Sequence, residues 1–348
     1  MNDIELDDAL QQLYPTAPHD GDALRRARRR VLTTIDTTPP ATRRGVPWRR
    51  LSIAAAAVAV ASVTATVAVT HRGDPGPTAM VEVAQTLNTA ADAQIHTRDQ
   101  TVPPGKYRYI ATHALNMSYS QSATADFAVR TGTRIETWVP ADRTATWFER
   151  RTDTGERTWL VGTAQQAHDA GVPDPRAQPE QLHGRCGNWN PDPGTDPCAA
   201  AGNWQTPGDT FTAELPRNPY RLYQRLRKDT AGHGNDADQE VLVYAADALR
   251  SGLLPADLRA ALYRALTYLP TLTITERTAT LDGRAGTALG IAAAGERQEI
   301  IIDPADGTFI GERTRLTADR DGIPAGTVTG SSSLQYGIAE RAGEPPHR

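Results

Sequence analysis

The alternation of apolar and polar positions divides the chain into segments of different character. Residues 1–50 are polar and rich in arginine, 51–70 carry no charge, and 78–340 show helical and strand-like periodicities in turn. A Gly/Pro linker, 71–77, separates the uncharged run from the periodic part, and a polar tail, 341–348, ends the chain. The pattern predicts one large folded domain that follows a membrane-crossing segment.

The uncharged run Leu51–Thr70 has the length of a single transmembrane helix. As a helix it would be about 30 Å long, which is enough to cross the hydrocarbon core. Its valines and isoleucine favour insertion, whereas its many alanines are nearly neutral. The alternatives are a buried alanine-rich core helix and a cleaved signal peptide. Against cleavage, about 50 residues precede the run and no clear A-x-A site follows it.

Arginines on the N-terminal side of the run predict its orientation. The first twenty residues after the run contain only Arg72, so the positive-inside bias places the N-terminus in the cytoplasm and the C-terminal domain outside the cell membrane. Residues 1–50, with one predicted helix at 20–34, are too few to bury a core, so they either dock on a cytoplasmic partner or serve topology alone. The arginines concerned are Arg25, Arg26, Arg28, Arg29, Arg30, Arg43, Arg44, Arg49 and Arg50.

The periodic part predicts an α+β domain. Helical spacing of apolar residues is expected at 78–94, 216–228, 236–250 and 256–269. Strands are expected at 106–114, 133–139, 143–150, 157–161, 271–281, 285–293, 297–303, 309–317 and 326–338, with a hairpin turn at 153–155. We expect a curved antiparallel sheet covered by helices on one face. The apolar stripe of the 256–269 helix would pack most simply against that sheet.

The two cysteines, Cys186 and Cys198, lie in a predicted loop, 171–209, that is rich in proline and glycine. Neither a histidine nor a third cysteine stands at metal-ligand spacing, so a disulfide is predicted rather than a metal site. A disulfide suits a domain outside the membrane, where thiols stay oxidised. Trp189 and Trp204 on this loop either form an exposed binding tip or pack the loop onto the sheet.

Composition and charge narrow the functional classes. The chain has 37 basic and 41 acidic residues and a net charge of −4, so no general affinity for nucleic acid is indicated. Hydrophobic residues make up 39%, which is ordinary for a globular protein. Lys106 and Lys228 are the only lysines, a bias typical of GC-rich genomes, and it warns against assigning a function to each arginine.

Catalytic motifs are absent from the sequence. It contains no G-x-S-x-G, H-E-x-x-H, P-loop or G-x-G-x-x-G signature. The weaker candidates are His168–Asp169 as a catalytic pair, Asp319–Gly322 as the start of a calcium loop and Ser331–Ser333 as nucleophiles. Each is better explained as a solvated turn or a sheet position. We therefore predict a protein that is not an enzyme and that has no metal or cofactor.

Residues 260–317, above all the stretches ALYRALTYLP, LDGRAG and IIIDPADGTFIGERTRL, carry a family signature. The chain resembles a family of uncharacterised actinobacterial single-pass membrane proteins that are commonly encoded beside extracytoplasmic-function sigma factors. The resemblance implies an anti-sigma or signal-sensing role, with a sigma factor as the cytoplasmic partner. The residues 1–50 lack the His/Cys pattern of zinc-type anti-sigma domains. The outer domain also looks like the curved-sheet folds of periplasmic lipoprotein carriers and of the periplasmic regulators related to them, which is a likeness of fold and does not determine function.

Two functions follow as hypotheses. The first is a membrane-anchored extracytoplasmic sensor or regulator that acts on a sigma factor through its cytoplasmic segment. The second is an anchored carrier or binding module for a lipid or other apolar molecule. The carrier hypothesis predicts a pocket lined by apolar side chains from 106–114, 143–150 and the 256–269 helix.

Overall fold

The structure, a computed structural model, describes residues 77–96, 99–122, 125–173 and 178–346. Its strands are β1 (Tyr107–Gln121), β2 (Asp126–Pro140), β3 (Thr146–Val161), β4 (Glu180–Arg185), β5 (Thr273–Leu281), β6 (Arg284–Ala293), β7 (Glu296–Ile302), β8 (Phe309–Leu316) and β9 (Val328–Ala339). Its helices are α1 (Pro77–His96), α2 (Ala164–Asp169), α3 (Asp209–Glu214), α4 (Pro219–Asp229), α5 (Ala237–Arg250) and α6 (Ala256–Leu266).

These strands form one nine-stranded antiparallel sheet in the order β4-β3-β2-β1-β9-β8-β7-β6-β5. Two meanders, β1 to β4 and β5 to β9, are joined where β1 pairs with β9, so that Ile110 lies opposite Tyr336. The hairpin turn between β5 and β6 lies at the Asp-Gly pair Asp282–Gly283. The predicted α+β class with a curved antiparallel sheet is confirmed.

Side chains alternate between the two faces of the sheet because the strand period is two. On β7, Ile300 and Ile302 belong to the large buried cluster that includes the helices, whereas Ile301 belongs to a smaller cluster on the opposite face. Glu299 also lies on the opposite face and is 1% exposed, with Arg313 of β8 beside it. The sheet therefore has a helix-covered face and an opposite face on which some of the buried side chains form ion pairs.

The helices divide their contacts between the sheet and one another. Helix α5 contacts β6, β7 and β8, whereas α6 has α1 and α4 as its main neighbours. The apolar stripe of α6 was expected to lie against the sheet. Because α5 already covers that part of the sheet, Leu262 and Leu266 of α6 are buried within the cluster formed with the other helices. Helix α5 therefore faces β6, β7 and β8, and α1 contacts β5.

Two local predictions, the turn at 153–155 and the loop at 171–209, are wrong. The turn predicted at 153–155 is a bulge within the continuous strand β3, because Thr131 pairs with Arg157 and Thr133 with Asp153. Gly132 opposes the extra residues, and any side chain there would collide with Thr154. In addition, the predicted loop 171–209 contains the edge strand β4 and begins after the short helix α2.

The uncharged run, 51–70, and the arginine-rich segment, 1–50, lie outside the described residues. Among the residues that are described, every helix is too short or too polar to cross a membrane.

Candidate ligand-binding site

A cavity of about 590 Å³ lies between the helix-covered face of the sheet and helix α5. Strands β1, β2, β3, β7, β8 and β9 supply its floor, and α5 supplies its roof. This size is typical of sites for small molecules. The cavity reaches the surface beside Asn116 and Gln205, both of which are exposed.

The floor is built by alternate residues of adjacent strands. On β1 these are Ile110, Thr112 and Ala114, and on β2 they are Ile135 and Thr137. Ile110 pairs with Thr137, and Thr112 pairs with Ile135, so apolar and hydroxyl side chains alternate in both directions. The floor can therefore meet both apolar and polar parts of a ligand.

An arginine bridges two carboxylates at the polar centre of the cavity. Arg250, at the end of α5, pairs with Asp247 one turn earlier, and its other nitrogen lies 3.2 Å from Glu312 Oε1 on β8. Ser332 Oγ donates to the same oxygen at 3.0 Å, and Gln298 Nε2 donates to Glu312 Oε2 at 2.9 Å. These contacts fix the Glu312 carboxylate in one orientation.

Burial changes the acidity of this centre. The Glu312 side chain is 12% exposed, and burial raises the pKa of its carboxyl above the ordinary 4.5. The guanidinium of Arg250 lowers that pKa, whereas the charge of Asp247 raises it further. The net direction is upward, so holding Glu312 in its charged form opposes folding.

We expect the variant Glu312→Gln to change how stability depends on pH. Because the folded-state pKa is raised, the folded chain binds more protons than the unfolded chain above pH 4.5, so the Glu312 contribution to stability falls as pH rises through that pKa. The difference in free energy of unfolding, variant minus wild type, should therefore increase from pH 5 to pH 8. Urea unfolding at both pH values measures it.

The control for this measurement is Glu82→Gln, because Glu82 lies on the surface of α1 and pairs there with Arg277. Titration of all the other groups is common to the variants and cancels in the difference. A difference that stays constant between pH 5 and pH 8 would refute the account of Glu312.

A second ionic group stands at the β3 side of the cavity. Glu149 is 7% exposed, and Arg151 Nε donates to its Oε1 at 2.8 Å. Thr137 Oγ1 donates to Glu149 Oε2 at 3.1 Å. Arg151 also reaches Glu180 of β4, at 3.1 Å. The two ionic groups together give the cavity a charged interior, which differs from the apolar lining from 106–114, 143–150 and the 256–269 helix that the carrier hypothesis predicts.

Two tryptophans close the same side. Trp147 of β3 and Trp189 both border the cavity, and their rings meet edge to face with centroids 6.4 Å apart. Trp204, in contrast, is 5% exposed, donates through Nε1 to Asp229 at 2.9 Å and packs on Phe211. Trp204 is therefore a core residue rather than part of an exposed binding tip, and Trp189 is a half-buried wall residue.

The predicted disulfide between Cys186 and Cys198 is confirmed, with their Cα atoms 5.3 Å apart. The loop that it closes packs against the cavity wall. Gly187 has a φ of 73°, and a Cβ there would approach the Trp147 ring to 2.7 Å. Only glycine allows this close approach together with that backbone conformation. The disulfide thus holds the loop that carries Trp189.

Removal of the disulfide should destabilise the fold. We expect Cys186→Ala/Cys198→Ala to lower the free energy of unfolding by about 3 kcal/mol, since the bridge closes a loop with a sequence separation of 12. Thermal unfolding of the double variant, compared with wild type under oxidising and reducing conditions, measures the effect. Wild type should match the double variant once reduced. Equal stability of oxidised wild type and double variant would contradict this expectation.

The structure separates the weaker sequence candidates. His168 and Asp169 are largely exposed and 3.4 Å apart. Asp319 accepts a backbone hydrogen bond from Ala325 within a turn. Within the described residues, no group of three His, Cys, Asp or Glu side chains could hold a metal ion. None of these positions lies at the cavity described above.

The serine cluster is split between the two faces. Ser332 lies at the cavity, whereas Ser333 points to the opposite face and donates to Asp282. His113 Nδ1 lies 2.7 Å from the same Asp282 carboxylate. Because the carboxylate stands between Ser333 and His113, the histidine cannot take the serine proton as it does in a catalytic triad.

Sequence reasoning missed the central residues Asp247, Arg250 and Glu312. One signal was present, because Asp247 interrupts a run of buried apolar positions on α5 between Ala246 and Ala248. A charged residue at an apolar position indicates either a buried ion pair or a site. The partner on β8 leaves no such mark, since Glu312 falls in a strand that is rich in charge.

The comparisons with known proteins give little. No protein-family model matches the sequence, and no curated protein is similar to it. Among solved structures, a DUF1329 family protein from Desulfovibrio piger ATCC 29098 is 10% identical, with 78% of this chain and 96% of that chain covered and a TM-score of 0.21. A similarity at this TM-score supports no inference about fold or function.

Proposed function

We propose that this chain is a membrane-anchored sensor whose extracytoplasmic domain binds a small ligand and whose cytoplasmic segment conveys the bound state to a protein partner, a sigma factor. The observation that carries the proposal is the cavity of about 590 Å³ with an ionic centre under α5. Cavities of this size with a few fixed polar groups are typical ligand sites.

The anchoring and the direction rest on other observations. The uncharged run 51–70, with its arginines on the N-terminal side, supports a single span with the N-terminus inside. The disulfide between Cys186 and Cys198 supports an oxidising location for the folded domain. The resemblance to proteins encoded beside sigma factors supports the choice of partner.

The second candidate is an anchored carrier. It is favoured by the apolar part of the floor, where Ile110, Ile135 and Val139 face the cavity. A carrier of unsubstituted acyl chains would make no use of the ionic centre formed by Asp247, Arg250 and Glu312. A carrier would also need no cytoplasmic partner.

One comparison tests whether the cavity of the proposed sensor holds a ligand. Full-length chain in lipid nanodiscs, prepared from native membranes, is examined by native mass spectrometry beside Thr112→Trp, in which an indole fills the floor. We expect wild type to retain a small molecule that the variant lacks. If both carry the same bound mass, or if neither carries any, the cavity is not a ligand site.

The proposed action on a sigma factor is tested by a separate binding measurement. Purified sigma factor is added to full-length chain and to chain that lacks 1–50, both in nanodiscs. We expect binding to the full-length chain alone, with an affinity that differs between wild type and Thr112→Trp. If neither chain binds the sigma factor, the sigma factor is not the partner, and the carrier hypothesis is favoured.

A further inference from the structure

We propose that the cavity binds a protonated amine carried on an apolar or aromatic body. The inference rests on the proposed function, because it names the ligand class for the same site. What carries it is the placement of an acidic centre and an apolar wall inside one cavity.

Three carboxylates and two guanidinium groups face the cavity, because the guanidinium of the third lining arginine, Arg313, pairs with Glu299 and Glu276 on the opposite face of the sheet. The carboxylates of Glu149, Asp247 and Glu312 border the cavity, and Arg151 and Arg250 are their partners. When all three carboxylates are ionised, three negative charges face two positive ones, which leaves an excess of one negative charge. An entering cation offsets this excess.

The guanidinium groups are already held by protein carboxylates. The partners are Asp247 and Glu312 for Arg250, and Glu149 and Glu180 for Arg151. Arg313 also borders the cavity, but its guanidinium pairs with Glu299 and Glu276 on the opposite face. An anionic ligand would have to displace one of these pairs, whereas a cation would not.

The carboxylates of Asp247 and Glu312 can accept further hydrogen bonds. Asp247 receives Arg250 on one oxygen and Gln205 Nε2, at 3.2 Å, on the other. Glu312 receives Arg250 and Ser332 on Oε1 and a single donor on Oε2. A carboxylate offers about four lone-pair positions, so each can accept a further N–H from an ammonium group.

An apolar body fits the rest of the cavity. Ile110, Ile135 and Val139 line the floor towards β3, and Trp147 and Trp189 close that side. Burial of an alkyl or aromatic group against these side chains supplies affinity, and the acidic centre supplies the choice of head group. A fatty acid or a phosphate would add negative charge, and a neutral alcohol would leave the excess in place.

The probe for the experiment is dansylcadaverine, a primary amine on a short alkyl arm whose aromatic dansyl group fluoresces more strongly in apolar surroundings. It is titrated into full-length chain in nanodiscs, beside its N-acetylated neutral derivative and the anionic dansyl-aminohexanoate. Empty nanodiscs give the background of partition into lipid. We expect the amine to bind at least about tenfold more tightly than either analogue.

The variants Glu312→Gln and Asp247→Asn then test the acidic centre. Each should weaken amine binding about tenfold while changing the affinity of the N-acetylated probe by less than about twofold. Glu82→Gln removes the same kind of charge from the surface of α1 and should change neither affinity. The comparison of the probes on wild type needs no variant, so a misfolded variant does not remove the test.

The outcomes separate the ligand class from the proposed function. If wild type binds the neutral or the anionic probe as tightly as the amine, and Thr112→Trp abolishes that binding, the amine is wrong but the cavity remains a ligand site. If Thr112→Trp leaves the binding of every probe unchanged, the cavity takes no ligand and the proposed function fails with the inference.

Discussion

The variant Arg313→Met should have a free energy of unfolding about 3 kcal/mol lower than that of wild type. Arg313 is 5% exposed and lies between two carboxylates, with Nε 2.5 Å from Glu299 Oε2 and Nη2 2.5 Å from Glu276 Oε2. Glu299 is 1% exposed and would lose its closest partner, while the more distant Arg315 Nε stays 3.4 Å from Glu299 Oε2. A buried carboxylate with only this longer ion pair is costly because the protein does not fully replace the water that it lost.

Urea unfolding at pH 7 measures this effect. Arg277→Met is the matched control, since Arg277 pairs with Glu82 at the surface and should cost at most about 1 kcal/mol. The double variant Glu299→Met/Arg313→Met removes the stranded charge and should recover most of the loss. A single variant no less stable than the control would show that water reaches Glu299.

The second large effect is expected for Leu262→Ala, which should lower the free energy of unfolding by about 3 kcal/mol. Leu262 is 1% exposed, at the centre of α6, and belongs to the cluster that joins this helix to α1 and α4. The truncation removes apolar contacts and leaves a space that the surrounding helices cannot fully close.

Thermal and urea unfolding of Leu262→Ala are compared with Val81→Ala, because Val81 lies on α1 with 56% of its surface exposed. The control should change stability by less than about 0.5 kcal/mol. If the two variants are equally stable, α6 is not part of the cooperative core. An intact sheet with a loosened α6 would instead give two unfolding steps.

Local patterns explain which parts of the fold were predictable. Helix α5 begins where Asp236 accepts from the amides of Asp238 and Gln239, and its apolar spacing marks it in the sequence. The turn at Asp282–Gly283 similarly marks the β5–β6 hairpin. In both cases the structure depends on residues that are neighbours along the chain.

Features that depend on distant residues were missed. Asp153–Gly155 has the composition of a turn, but Gly132 of the neighbouring strand makes a bulge possible there instead. At the site, Asp247 and Glu312 come from a helix and a strand far apart in sequence, and only the fold places both on Arg250. No local pattern carries that information.

The pairing of β1 with β9 has a consequence for how the domain is made. It joins residues 107–116 to 330–339, so the strand that unites the two meanders is the last of the nine described strands to be synthesised. Such long-range closure is slow to form, and until it does each meander has an unpaired edge. We expect the emerging chain to need protection from aggregation until residue 339 is available, and truncation before β9 to yield an insoluble product.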